Sequence, residues 1–301
     1  MTWWCSATGE LWSWTWRAYP GVWLLVGLML AWYWQAVRRS GGQQAAQEVH
    51  AAGRNTGPTD RLTAWRPDRV TTTWFIVGLA CIWAALDWPV GALGAGYLAS
   101  VHTVSYILLA LVAPPCLILG IPHPVQLRAL DSRLGPLLRL AARPWFALSV
   151  FNVALFATHV PQVVDTLMAS QVGAFLVDFA WLTGGLALWW PVMAPPELVS
   201  IRRPMKMAYL FASTLPPIIP SAFLTFADYP LYATYELAPR VFPILTAQQD
   251  QQVAGLLMKL VGDLPVWFAF GVIFFRWARD SSTTPPPAHP DSLKVAVSGE
   301  G

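Results

Sequence analysis

Charged residues are scarce in this sequence of 301 residues. Asp, Glu, Lys and Arg together make up 12% of it, about half of the share that is typical of a soluble globular domain. Hydrophobic residues make up 55%, and the mean hydropathy is +0.46. This composition excludes an ordinary soluble domain. The 18 tryptophans point to a membrane protein, because Trp concentrates at the interfaces between a bilayer and water. We therefore expect a lipid bilayer, and no nucleic acid, among its partners.

Paired cysteines and catalytic motifs are also missing. The three cysteines, Cys5, Cys81 and Cys116, form no CxxC and no paired spacing, so neither a disulfide framework nor a zinc site is indicated. The sequence contains no GxSxG, HExxH or P-loop motif, so we predict that the chain is not an enzyme. Its first 20 residues have neither a basic n-region nor an apolar h-region, so no secretory signal is expected.

Apolar segments near the length of about 20 residues that a helix needs to cross a bilayer recur along the chain. They predict an all-α, polytopic membrane protein, a bundle of seven transmembrane helices. The predicted spans lie at about 20–37, 72–90, 98–119, 145–162, 172–193, 207–226 and 253–275.

The distribution of Lys and Arg predicts how this bundle is oriented. If the N-terminus lies outside, sixteen Lys and Arg residues fall in inside segments, and only Arg17 and Arg240 fall outside. Because cytoplasmic loops carry an excess of basic residues, we predict that the N-terminus is outside and the C-terminus is cytoplasmic.

The remaining segments complete the predicted organisation. Residues 1–19 form a periplasmic segment, residues 20–279 the transmembrane domain, and residues 280–301 a disordered cytoplasmic tail rich in Pro, Ser and Thr. Three connections stand out within the domain: a polar cytoplasmic loop at 38–71, a basic connection with helical apolar spacing at 120–144, and the longest outside loop at 227–252. We expect the second to lie on the membrane surface.

Ionisable residues within predicted spans are functional candidates, because they are costly to place in a membrane. Those in this chain fall in the outer half of the bundle: His102, His159, Asp178, Lys259 and Asp263. His102 and His159 lie at similar depth on consecutive antiparallel spans, which predicts that they face each other. Tyr106 follows His102 by one helical turn on the same face.

Structural roles explain the same residues without a ligand. A histidine near a helix end is commonly a hydrogen-bonded interfacial residue. Lys259 and Asp263 are spaced i,i+4 and are expected to form a salt bridge inside the bundle, with Asp178 as a possible third member.

Four sequence stretches together resemble the CtaG family of cytochrome c oxidase assembly factors. They are SVHTVSYILLALVAPPCLILGIP, LFATHVPQVVDTLMAS, LTFADYPLYATY and DQQVAGLLM, and the resemblance runs in order from about residue 72 to residue 279. The motif residues include Asp228 in the third stretch, and Asp250, Gln251 and Gln252 in the fourth. The resemblance implies seven spans, a bacterial inner membrane, and a role in copper delivery or copper-centre formation on terminal oxidases.

The family's histidines are only partly present. Its pair of histidines one turn apart in the third span corresponds to His102 and Tyr106, and the histidine before proline is kept as His159. Ala174 and Asp178 stand where the fifth span usually has histidines. Lys259 and the stretch Val261-Gly262-Asp263 replace an aromatic residue and a Pro-Gly-Gly turn.

Two readings of the function follow. In the first, the protein is an oxidase assembly factor that binds or passes Cu(I) at its outer face through His102 and His159, helped by Met258, since Cu(I) prefers Cys, Met and His ligands. In the second, it is a metal-free structural or interaction subunit that docks on a respiratory oxidase complex. A haem- or quinone-binding cytochrome with the two histidines as axial ligands, and a transporter without internal repeats, are less favoured alternatives.

Overall fold

The computed structural model describes residues 2–52, 68–199 and 201–283. Within these ranges the regular structure is helical and no strand occurs, which confirms the predicted all-α class. The α-helices are α1 (Pro20–Ala52), α2 (Arg69–Leu86), α3 (Val90–Gly96), α4 (Ala99–Tyr106), α5 (Ala113–Gly120), α6 (His123–Asp131), α7 (Gly135–Ala141), α8 (Pro144–Ala157), α9 (Pro161–Met168), α10 (Gln171–Met193), α11 (Arg203–Ser213), α12 (Ile218–Phe226), α13 (Ala233–Glu236), α14 (Ala247–Leu256) and α15 (Leu264–Thr283). Two π-helical segments, Ile107–Val112 and Leu257–Val261, continue α4 into α5 and follow α14.

The described residues contain six helices that are long and apolar enough to cross a membrane, as expected for a multi-pass membrane protein. They are Pro20–Ser40, Arg69–Leu86, Ala99–Gly120, Gln171–Met193, Arg203–Phe226 and Ala247–Ser282. The count becomes seven if α7 and α8, which meet at an angle of 87°, are taken together as one span.

The helix made of α4, the first π segment and α5 lies at the centre of the bundle. In its most apolar 18-residue stretch, 78% of the residues are buried, against 17% in the corresponding stretches of the first and last candidate spans. It packs against α2 and α10, and α8 also packs against α10. Among the candidate spans of the described residues, His102 therefore lies on the most buried one.

Two glycines permit these close helix contacts. A Cβ atom added to Gly120 of α5 would lie 2.3 Å from the backbone nitrogen of Phe75 on α2. One added to Gly185 of α10 would lie 2.2 Å from the carbonyl oxygen of Ala110 in the first π segment. Neither distance is tolerable, so both helices approach α4–α5 only because these residues have no side chain.

Prolines break two of the predicted spans. The span predicted at 145–162 ends at Ala157, and α9 begins with Pro161 at its first position, where its missing N–H costs nothing. The turn between them carries His159. The span predicted at 207–226 divides after Ser213, because Pro216 and Pro217 cannot donate backbone hydrogen bonds.

Several predicted boundaries were wrong. α1 continues to Ala52, so the first part of the polar loop predicted at 38–71 is helical, while residues 53–67 lie outside the described residues. The outside loop predicted at 227–252 contains α13 and the start of α14. α15 extends to Thr283, past the predicted start of the tail at residue 280, and residues 284–301 are outside the described part. α3 was not predicted separately.

The segment before α1 packs across the end of the bundle at which α1 begins. The backbone N–H of Trp3 donates to Gln171 Oε1 at 2.8 Å, and the N–H of Ala7 donates to the carbonyl of Met168 at 2.9 Å. Trp4 is only 2% exposed. The segment is thus part of the folded protein and covers the N-terminus of α10.

Candidate functional site

The two histidines singled out by the sequence meet at a small cavity, here named the histidine cavity. Its volume is about 10 Å³, and its lining includes Ala99, His102, Thr158, His159, Tyr232 and Tyr235. The two histidines that the sequence analysis expected to face each other thus line one cavity. A space of this size accommodates one water-sized particle, so it has no room for a porphyrin ring.

His102 has one unsatisfied nitrogen in this environment. Its ring packs edge-on against Trp181, with 4.7 Å between ring centroids, and lies 5.7 Å from the ring of Tyr235. Its Nε2 atom is buried and has no hydrogen-bond partner in the protein. Leaving such a nitrogen unpaired costs about 1–3 kcal/mol. A ligand or water at Nε2 would remove that cost.

His159 is held by the last turn of α8. Its Nδ1 lies 2.7 Å from the carbonyl oxygen of Leu155, so Nδ1 carries the proton and Nε2 keeps its lone pair. The hydroxyl of Tyr232 donates to the carbonyl of His159 at 3.1 Å. This arrangement, in which one ring nitrogen is fixed by a carbonyl, is the usual way in which proteins orient an imidazole for metal binding.

Three aromatic residues that the sequence analysis did not single out complete this environment. Trp181 Nε1 donates to Thr158 Oγ1 at 2.8 Å, beside His159. The hydroxyl of Tyr235 donates to the carbonyl of Gly94 at 2.8 Å. Burial raises the pKa of both Tyr232 and Tyr235, so both hydroxyls remain donors at neutral pH. The two tyrosines lie within the LTFADYPLYATY stretch, which was the available sequence signal.

Tyr106 packs against the rings of His159 and Trp181. Its ring centroid is 5.5 Å from that of His159 and 5.6 Å from that of Trp181, both edge-on. The Tyr106 hydroxyl is buried and has no partner in the protein. Tyr106 is therefore a neighbour of the histidine cavity through its ring.

A second cavity touches the other side of His102, and we name it the Cys5 cavity. It also measures about 10 Å³, and its lining includes Cys5, His102, Ser105, Met168 and Asp178. Asp178 Oδ2 accepts a hydrogen bond of 2.8 Å from Trp4 Nε1. The sequence analysis considered Asp178 as a third member of the Lys259–Asp263 pair, and that was wrong, because Asp178 is bound by the N-terminal segment.

Lys259 and Asp263 form the salt bridge that their spacing predicted. Lys259 Nζ lies 2.6 Å from Asp263 Oδ2 and also donates to the carbonyl of Thr214 at 3.0 Å. Their side chains are 32% and 13% exposed. Met258 precedes Lys259 and is 1% exposed. Met258 is not part of the lining of either cavity, although Ala254, one turn earlier, lines the histidine cavity.

The motif residues Asp250 and Gln251 organise the chain around the histidine cavity. Asp250 Oδ2 accepts from the N–H of Ala99 at 2.6 Å, and its Oδ1 accepts from Ser100. These are the first residues of α4, whose preceding residue has no capping side chain. Gln251 Oε1 accepts from the N–H of Leu231 at 2.6 Å. The DQQ stretch thus joins α4 to the LTFADYPLYATY loop.

The other two predicted motif residues have less contact with the site. Asp228 is exposed in the loop after α12, and Gln252 is partly buried on α14. A further carboxylate does organise the site: Asp165 Oδ1 accepts from the backbone N–H and the hydroxyl of Thr234, at 2.8 Å and 2.9 Å. This fixes α13, which carries Tyr235.

The donor atoms present restrict which metal this region fits. Across residues 2–52, 68–199 and 201–283, no three His, Cys, Asp or Glu side chains are grouped closely enough to hold a metal ion. Within this described part of the chain, these side chains therefore form no three-ligand site. Cu(I) differs, because it accepts the imidazole, thiolate and thioether donors found here.

The chain was compared with known protein families, curated proteins and solved structures. Residues 49–280 match the family described as cytochrome c oxidase caa3 assembly factors, Caa3_CtaG. This match covers more than half of the chain. The protein belongs to the CtaG family. No curated protein and no solved structure matched the chain.

Membership of the CtaG family supports several of the expectations drawn from the sequence. It confirms the resemblance and makes this chain a member of a family of assembly factors for cytochrome c oxidase. An oxidase partner and a multi-pass membrane protein are consistent with that assembly role. The N-terminal segment with Cys5 lies outside the range that matches the CtaG family.

Proposed function

We propose that this protein assists copper insertion or copper-centre formation in a cytochrome c oxidase, by holding Cu(I) between His102 and His159. The observation that carries the proposal is the buried, unpartnered Nε2 of His102, on a cavity that His159 also lines. His159 presents its own Nε2 lone pair because Leu155 fixes Nδ1. Imidazole nitrogens are donors that copper accepts, so these two residues would hold the ion.

The proposal also covers the membrane in which the protein resides, its orientation and its partner. The protein resides in the bacterial inner membrane with its N-terminus outside, so the histidine cavity lies at the outer side, and its partners are the subunits of a terminal oxidase. Support comes from the positive-inside distribution of Lys and Arg and from membership of the CtaG family. Met258 is not required, because it is absent from the lining of the histidine cavity.

The second candidate is a metal-free docking subunit. It is favoured by the absence of a three-ligand group of His, Cys, Asp and Glu within the described ranges. It is also favoured by the Lys259–Asp263 ion pair, in which the two intramembrane charges are paired with each other without a metal. In this case the unpaired His102 nitrogen would be satisfied by one buried water.

The copper content of the purified protein under reducing conditions separates the two candidates. We expect about one Cu(I) per chain in the unmodified protein and a loss of at least tenfold in affinity in the His102→Ala/His159→Ala variant. His123→Ala is the matched control, because His123 is exposed and pairs with Glu197 at 3.2 Å, away from the cavity. No copper in any of them, with the fold intact, would favour the docking subunit, whereas equal copper content in all three would show that His102 and His159 do not hold the ion.

A further inference from the structure

The N-terminal segment places a thiol inside the bundle. Cys5 is 4% exposed, and its Sγ donates to the carbonyl oxygen of Leu86 at 3.1 Å. The chain on either side is fixed by the Trp4–Asp178 hydrogen bond and by the N–H of Ala7 donating to Met168. Cys5 therefore occupies a defined position against α2 and α10.

The Cys5 cavity brings together donors from three separate parts of the chain. Cys5 comes from the N-terminal segment, His102 from α4 and Met168 from the end of α9. Met168 is 2% exposed, so its thioether is enclosed as well. A thiol, an imidazole and a thioether around a space of about 10 Å³ form a donor set that selects Cu(I) over hard divalent ions.

The unpartnered nitrogen of His102, on which the proposed function also rests, is a second reason beside the donor set to expect a ligand here. Its Nε2 is buried without a hydrogen bond, and the residue lines both the Cys5 cavity and the histidine cavity. The two cavities are thus neighbours with His102 between them.

We infer that Cys5, His102 and Met168 form a Cu(I) site at the N-terminal end of the bundle, adjoining the histidine cavity. This inference rests on the proposed function, and it adds a thiolate ligand from outside the range that matches the CtaG family. Binding exchanges one bond for another without any redox change. The thiol S–H bond breaks, an S–Cu bond forms, and the proton is released to the medium.

The other two cysteines lie outside the Cys5 cavity and can be replaced to leave Cys5 as the single thiol. Cys81 and Cys116 lie on α2 and α5, and neither lines the Cys5 cavity. The Cys81→Ser/Cys116→Ser variant of the full chain therefore keeps Cys5 as its single thiol. X-ray absorption at the copper edge, after loading with Cu(I) under anaerobic conditions, counts the sulfur and nitrogen ligands of the ion.

We expect sulfur ligands in the Cys81→Ser/Cys116→Ser protein as in the unmodified one. Adding Cys5→Ser or Met168→Leu should remove one sulfur ligand, and Cys5→Ser should weaken Cu(I) binding at least tenfold in competition with a Cu(I) chelator. Copper bound only by nitrogen in the unmodified protein, and unaffected by Cys5→Ser, would overturn this inference while the proposed function stood. The absence of copper from every protein would overturn both.

Discussion

The carboxylate of Asp250 accepts a hydrogen bond from the backbone N–H of Ala99, with 2.6 Å between Oδ2 and N. Ala99 is the first residue of α4, and His102 lies three residues further on. A helix begins with N–H groups that have no partner within the helix. Asp250, from a distant part of the sequence, supplies that partner and is 1% exposed. We therefore regard Asp250 as a positioning residue for His102.

We expect Asp250→Ala to destabilise the protein by about 2 kcal/mol or more. The loss of a helix cap alone costs about 0.5–2 kcal/mol, and here the buried N–H of Ala99 would also lose its charged acceptor. Thermal unfolding in detergent measures the change. Asp228→Ala is the control, because Asp228 is exposed in the neighbouring loop. Equal effects of the two substitutions would show that Asp250 does not cap α4.

The sequence predicted the parts of this site that depend on local pattern. Apolar segments of spanning length located the main helices, and their antiparallel order placed His102 near His159. The salt bridge between Lys259 and Asp263 followed from their spacing of four residues. Each of these rests on a regular helix, in which position along the chain fixes position in space.

The unpredicted parts depend on irregular backbone and on contacts across long sequence separations. The breaks near Pro161 and Pro217 interrupt regular helix, and the Cys5 cavity brings together Cys5 and Met168, which are far apart in sequence. Asp178 was paired with the wrong partner for the same reason. Its acceptor role toward Trp4 depends on a non-helical segment whose path no periodicity describes.

Replacing one partner of the Lys259–Asp263 pair should destabilise the protein more than replacing both. We expect Lys259→Met to destabilise the protein by about 3 kcal/mol, because it leaves a carboxylate in the bundle without a partner, and the Lys259→Met/Asp263→Leu variant to be close to neutral. Unfolding free energies of the two single variants and the double variant form a thermodynamic cycle. Strictly additive effects would show that the 2.6 Å contact carries no coupling energy.

Cys5 should make the stability of the protein fall at alkaline pH. Burial and the nearby Asp178 carboxylate raise the pKa of the Cys5 thiol well above its usual value. A group whose pKa is raised on folding stabilises the protein below its unfolded-state pKa of about 8.5 and loses that contribution as pH rises above it. We expect the difference in melting temperature between the unmodified protein and Cys5→Ser to shrink between pH 8 and pH 10. A constant difference over this range would show that the thiol ionises alike in both states.

Replacing Gly185 should separate the helices that hold the site. An added Cβ would lie 2.2 Å from the carbonyl oxygen of Ala110, in the π segment that follows Tyr106. Because that neighbour is backbone and cannot rotate away, we expect Gly185→Ala to destabilise the protein by about 1–3 kcal/mol, as overpacking of a filled core does.

Gly271→Ala is the matched control for this prediction. Gly271 lies within α15, and nothing approaches within 4 Å of the position of its added Cβ. Alanine has a higher helix propensity than glycine, so this variant should be as stable as the unmodified protein or more stable by up to about 1 kcal/mol. Unfolding of both variants in detergent gives the comparison, and the two substitutions should therefore have effects of opposite sign. A stabilised Gly185→Ala variant would mean that α10 and the π segment lie further apart than the structure places them.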